Sequence, residues 1–236
     1  MRYIDENGTK VKFDMKEFQF LNDGGCARVY HNNIQIFKRY YKAIPNNLKL
    51  RKDVFNILKQ IKSANFIKLY NSYYVEYNYK RINFNDEYLD AYTAEYYQKE
   101  NIIPALINKD YLLENLKKLD DLFGSLSDNK IETHDVSVWN TILTKESIVI
   151  IDPDFYELSN DLKNNIKIRN KEILLNLVKD LLLKIELFKD YNTMKKMERW
   201  FDNNFDLNEI TERTDLACEL SKKLKYVKRP IDVIKK

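Results

Sequence analysis

The chain has 236 residues, 44% hydrophobic and 32% charged, which is globular composition and enough length for one large domain or one two-lobed domain with a real core. Its 40 basic and 36 acidic residues leave a net charge of only +4, so general attraction to nucleic acid or to a membrane surface does not follow. Cys26 and Cys218 are far apart and neither belongs to a metal-spaced pair, which argues against a disulfide framework, and His31 and His134 are too few for a histidine-rich metal site with them.

No apolar signal-peptide core follows Met1, and no run reaches the length of a membrane-spanning helix. The expectation is a cytoplasmic protein with neither nucleic acid nor membrane as partner. The basic stretch from Lys222 to Lys236 reads as a solvated helix face and tail.

In chain order, Phe18–Leu21 and Ala27–Tyr30 flank the loop Asn22-Asp23-Gly24-Gly25-Cys26, and Ile34–Phe37 follows a short turn. Their alternation predicts two antiparallel strands and then a third, closed by Lys38. Read alone, the Gly-Gly loop suits a plain hairpin, and Lys38 suits a sheet edge. Leu50, Val54, Ile57, Leu58 and Ile61 recur at helical spacing and predict a helix over Leu48–Ile61. Strands are predicted at Asn65–Tyr70, Ser72–Tyr79 and Tyr88–Ala94.

Asp110–Leu126 is an amphipathic helix by its broad apolar face of Leu112, Leu116, Leu119, Leu122, Phe123 and Leu126. After Asn160 the pattern is helical to the end. Ile173–Phe188 is dense enough in leucine for a helix buried on most sides, and Thr193–Phe205 and Asn208–Leu224 close the chain.

The segment richest in chemistry is Thr133-His134-Asp135-Val136-Ser137-Val138-Trp139-Asn140, followed by the apolar run Ile148–Ile151 and Asp152. An aspartate stands five residues before an asparagine, and a second aspartate ends a strand twelve residues beyond it. Alone, either acid reads as a turn residue. The ordered set resembles the protein-kinase-like superfamily, whose phosphoryl transfer uses one group to orient the acceptor and two to hold metal.

The resemblance implies an α+β, two-lobed fold: a small antiparallel-sheet lobe over about residues 1–95, a hinge near 95–101 and a larger helical lobe over 102–236. It implies ATP and Mg²⁺ as cofactors, Asp135 and Lys38 as catalytic residues, and Asn140 and Asp152 as metal ligands. Gly24, Gly25, Val29 and Lys38 would hold the nucleotide, with Glu95 and Tyr97 at the adenine edge. The glycines matter because backbone N–H groups approach phosphate most closely where no Cβ obstructs them.

The chain also departs from the family pattern. Asn22 and Ala27 stand where the outer loop glycines would be. The helix glutamate that pairs with the strand lysine falls on Val54, with Asp53 one place away. Pro153 and Asp154 follow the metal aspartate where the family has an aromatic residue and glycine, which puts Asp154 near the metal or in an exposed turn. Ser137 replaces a basic residue, and no Ala-Pro-Glu anchor follows. Three functions stay open: an ATP-dependent kinase acting on a protein hydroxyl, one acting on a small molecule in the manner of aminoglycoside and choline kinases, and a pseudokinase that binds nucleotide or a partner. The acceptor, protein or small molecule, is unidentified.

Overall fold

The computed structural model describes residues 2–76, 87–98, 109–184, 191–205 and 215–223. It is a mixed α+β structure that divides into two compact units. One comprises Met1–Lys62, Ile67–Gln98 and Pro153–Glu157; the other comprises Ser63–Phe66, Lys99–Asp152 and Leu158–Lys236.

The first unit is built on a seven-stranded antiparallel sheet: β1 (Arg2–Asp5), β2 (Lys10–Lys12), β3 (Gln19–Asp23), β4 (Ala27–His31), β5 (Gln35–Tyr40), β6 (Leu69–Val75) and β7 (Ala91–Glu95), in the order β2-β1-β6-β7-β5-β4-β3. The alternating residues of β5 explain why it sits inside. Phe37 faces an aromatic core with Tyr3, Tyr73 and Val75, capped by Phe13 stacked 4.2 Å from the Phe37 ring. Burying each such side chain contributes about 1.5–3 kcal/mol, enough to fix the register of both neighbouring strands.

Lys38 and Tyr40 point to the opposite face, where Lys38 pairs across the ladders with Val29 of β4 and Tyr92 of β7. Lys38 therefore lies on an interior strand and not at a sheet edge. The N-terminal hairpin of β1 and β2, in which Tyr3 opposes Val11, was not marked by the sequence pattern.

Helix α1 (Lys52–Leu58) is shorter than the periodicity predicts. Residues before it are held extended by backbone pairing, with Leu89 N–H on Leu50 O at 3.0 Å and Lys52 N–H on Glu87 O at 2.8 Å. The α-helix begins only once those partners are used, after a separate 3₁₀ turn at Asn46–Leu48. The strands predicted at 65–70 and 72–79 are likewise corrected to β6, which starts at Leu69. Asn65 and Phe66 belong to the second unit, where Asn65 O accepts from Ile150 N–H at 2.9 Å. Residues 77–79 lie outside the described residues.

In the second unit, α2 (Lys109–Asp128) leads into the short strand β8 (Ile131–Glu132), then a loop, and the hairpin β9 (Thr141–Leu143) and β10 (Ile148–Ile150). Helices α3 (Lys163–Lys184), α4 (Tyr191–Asn204) and α5 (Leu216–Lys223) follow. The buried stripe of α3 runs Ile166, Asn170, Leu174, Leu177, Val178 and Leu181, and α3 packs on α2. The expected helix ends at 185–188 and 208–214, hinge residues 99–101 and the tail from 224 lie outside the described residues. Among the described residues, no helix is long and apolar enough to cross a membrane.

Candidate functional site

Two groups of candidate residues are formed, one in each unit. In the first unit, Gly24 and Gly25 are at the tip of the β3–β4 hairpin, where Gly24 N–H donates to Ala27 O at 2.9 Å. A Cβ on Gly24 would come no closer than 3.6 Å to that carbonyl, and one on Gly25 would meet nothing within 4 Å. Neither glycine is demanded by close packing around its Cα.

Val29 is half-buried and directly opposite Lys38 across β4 and β5. At the end of β7, Glu95 N–H and Tyr96 N–H are taken by the Lys68 and Ile34 carbonyls, at 2.9 and 3.1 Å. Tyr97 Oη donates to Glu95 Oε2 at 2.8 Å. Burial and then that carboxylate push the Tyr97 hydroxyl above its usual range, so it stays a donor. Glu95 and Tyr97 are thus brought together through their side chains.

Lys38 is buried, and its Nζ lies 2.8 Å from Asp154 Oδ2, with the two side chains 8% and 4% exposed. The other carboxylate oxygen, Oδ1, accepts from Tyr40 Oη at 2.6 Å, and Tyr92 Oη is 3.5 Å away. Tyr40 Oη in turn accepts from Leu50 N–H at 3.1 Å. Burial, followed by the Asp154 charge, holds the Tyr40 phenol well above its ordinary pKa, which keeps its proton available to the carboxylate.

A buried carboxylate needs this much compensation, because an ion taken out of water without partners costs several kcal/mol. Asp154 is therefore not an exposed turn acid. Asp53 does not reach the lysine. Its two oxygens bind the Arg51 guanidinium at 3.0 and 2.6 Å, and its Oδ1 also takes Val54 N–H at 2.8 Å.

In the second unit, Asn140 Nδ2 donates to Asp135 O and to Asp135 Oδ2, both at 2.9 Å. Asn140 N–H donates to Ser137 O at 3.0 Å, and Asn140 O accepts from Ile151 N–H at 3.0 Å. The loop is thereby closed on itself and tied to the residue before Asp152. With both amide hydrogens of Asn140 spent on Asp135, its Oδ1 is the atom that can face a cation.

Oxygen from Asn140 and carboxylate from Asp152 are donors of the hard type that suits Mg²⁺, so the residues present fit that ion. Asp135 itself is exposed.

The support beneath this loop was not foreseen. Asn170 on α3 is fully buried; its Oδ1 accepts from Thr133 N–H and Thr133 Oγ1, both at 3.1 Å, and its Nδ2 donates to Ser127 Oγ at 2.8 Å and Ile131 O at 2.9 Å. Asn115 does the same for β10, accepting from Ile148 N–H at 2.9 Å. The available signal was an asparagine on the apolar stripe of each helix, since a buried amide requires partners. For Asp154 and Tyr40 no local signal exists, because 114 residues separate them.

No protein-family model and no curated protein sequence matches this chain.

Proposed function

We propose that the protein is an ATP- and Mg²⁺-dependent phosphotransferase of the protein-kinase-like type, with two lobes, that moves the γ-phosphate of ATP to a hydroxyl, provisionally on a protein. The observation that carries the reading is the Asp135–Asn140 pair. An asparagine holds the carboxylate and carbonyl of an aspartate five residues earlier, on a loop followed by a strand and Asp152, and this order and spacing resemble the base and metal-ligand positions of the kinase catalytic loop.

In this reading Asp135 orients the acceptor hydroxyl and takes its proton as the oxygen–phosphorus bond forms. The bond from the γ-phosphorus to the β-phosphate oxygen breaks, and ADP leaves. Asn140 Oδ1 and the Asp152 carboxylate would hold Mg²⁺, which would supply neutralisation of phosphate charge. Lys38 contacts the phosphates, the Gly24-Gly25 main chain covers them, and Val29 with the Glu95–Tyr97 backbone borders the adenine.

The buried Lys38–Asp154 pair favours activity over a pseudokinase, since the lysine has an acidic partner despite lacking one on α1. The short segment between Asp152 and α3 keeps the small-molecule acceptor of the aminoglycoside and choline type as the second reading.

A transfer assay with γ-labelled ATP and Mg²⁺, offered cell-lysate protein and a small-molecule panel, separates the possibilities. Label in protein supports the first reading, label in a soluble metabolite the second, and nucleotide binding without transfer a pseudokinase. Asp152→Asn is expected to abolish transfer. Asp135→Asn is expected to retain Mg-ATP binding and lose about 10²–10⁴-fold in turnover. A folded Asp135→Asn protein that transfers at the unaltered rate removes the assignment.

A further inference from the structure

We infer that Asp154 is the positioning residue that aims the Lys38 ammonium, in place of an acid on the first helix; this rests on the phosphotransferase reading above. The geometry leaves α1 no such part. Asp53 is its sole acid, and Arg51 holds both its oxygens. The helix instead contributes buried Val54 and Phe55, the latter with its ring 6.1 Å from Tyr92.

Asp154 meets the requirements that Asp53 fails. One oxygen carries the Lys38 ion pair, and the other is pinned by Tyr40, whose hydroxyl is itself pinned by Leu50 N–H. A carboxylate fixed at both oxygens fixes the direction of the ammonium that it binds, and the Tyr92 ring lies 6.0 Å beneath that ammonium. The chain near α1 thus gives a main-chain N–H to the lysine's support and no charge.

Only Pro153 separates Asp154 from the metal ligand Asp152, so lysine aim and metal binding depend on one three-residue segment.

The test compares Mg-ATP affinity by isothermal titration, and Mg-ATP turnover by ADP formation, in the full chain, at a temperature where circular dichroism shows each variant folded. Asp154→Asn is expected to impair the combination of affinity and turnover about 10²-fold, the scale of misplacing a positioned group, and to match Lys38→Ala. The double variant is expected to be no worse than either single one, because both remove the same interaction. Asp154→Glu restores part of the loss, and Asp53→Asn keeps unaltered values. A purely structural role would lower the melting temperature of Asp154→Asn and leave affinity and turnover in place, which overturns the inference. Loss of function in Asp53→Asn overturns it as well.

If Asp154→Asn does not fold, Tyr40→Phe keeps the charge and removes the bond to Oδ1; a several-fold loss of turnover supports the inference, and unaltered turnover overturns it. Unaltered protein that binds no Mg-ATP refutes the phosphotransferase reading itself. Impairment in Lys38→Ala without impairment in folded Asp154→Asn refutes only the role of Asp154.

Discussion

At the scale of single residues, the consequences of the buried ion pair are separable from catalysis. Lys38 and Asp154 are both nearly inaccessible, so removing one deprives the other of this ion pair in a poorly solvating interior. Lys38→Met is expected to cost about 3–5 kcal/mol of stability, read from the urea midpoint. Lys38→Met combined with Asp154→Leu is expected to recover much of that, because no charge is left unpaired, while nucleotide turnover stays lost.

Asp53 behaves differently because it is half-exposed. Partial burial would raise its carboxyl, but the Arg51 hydrogen bonds, the Val54 N–H and the Arg51 charge outweigh this and hold it below the usual carboxylate range. A folded-state pKa below the unfolded one means that the unfolded chain binds the proton more readily as acid is added. The Asp53 contribution is thus present at neutral pH and lost as pH falls through its depressed folded pKa. Asp53→Asn is expected to lower the melting temperature slightly at pH 7, with the difference disappearing in acid titration. A difference that grows in acid would reverse the sign of the argument.

At the scale of elements, the β3–β4 hairpin combines antiparallel pairing, with a register shift between Phe20 and Asn22, with a tip whose glycines are not required by close packing. The hairpin is held by the β3–β4 ladder, by Tyr41 Oη on the Asp23 carboxylate, and by Tyr41 N–H on Cys26 O at 3.0 Å. A Cβ on Gly25 meets open space. Gly25→Ala is therefore expected to leave stability unchanged or to raise it by about 0.4–1 kcal/mol, by restricting the unfolded chain. The same variant is expected to weaken Mg-ATP binding if phosphate lies against this tip. Thermal unfolding and titration calorimetry on one preparation distinguish the two effects. Unchanged affinity would move the nucleotide away from the hairpin.

At the scale of the whole molecule, a nucleotide that binds only the folded chain stabilises it by mass action. Mg-ATP at about 100-fold its dissociation constant is expected to add about 2.7 kcal/mol, seen as a rise in melting temperature. The gain from adding Mg²⁺ to ATP is expected to vanish in Asp152→Asn and to persist in Asp135→Asn, since only the former carboxylate is assigned to the metal. A magnesium-dependent shift that survives in Asp152→Asn would transfer the metal to other oxygens.

Local sequence was sufficient wherever a pattern depends on a residue's near neighbours. The alternation through Ala27–Tyr40 gave two paired strands, and the leucine stripe of 110–126 gave α2, because strand and helix periods are properties of a short stretch of backbone. The spacing of Asp135 and Asn140 was legible for the same reason: a five-residue loop closes through its own side chain. The extent of α1 was not, because the backbone groups of Leu50 and Lys52 are claimed by residues 87–89, far along the chain. The partner of Lys38 was beyond reach of any local rule. Asp53 is nearer in sequence, yet the adjacent Arg51 neutralises it, and a buried ammonium takes the carboxylate that folding delivers with both oxygens already oriented, which is Asp154.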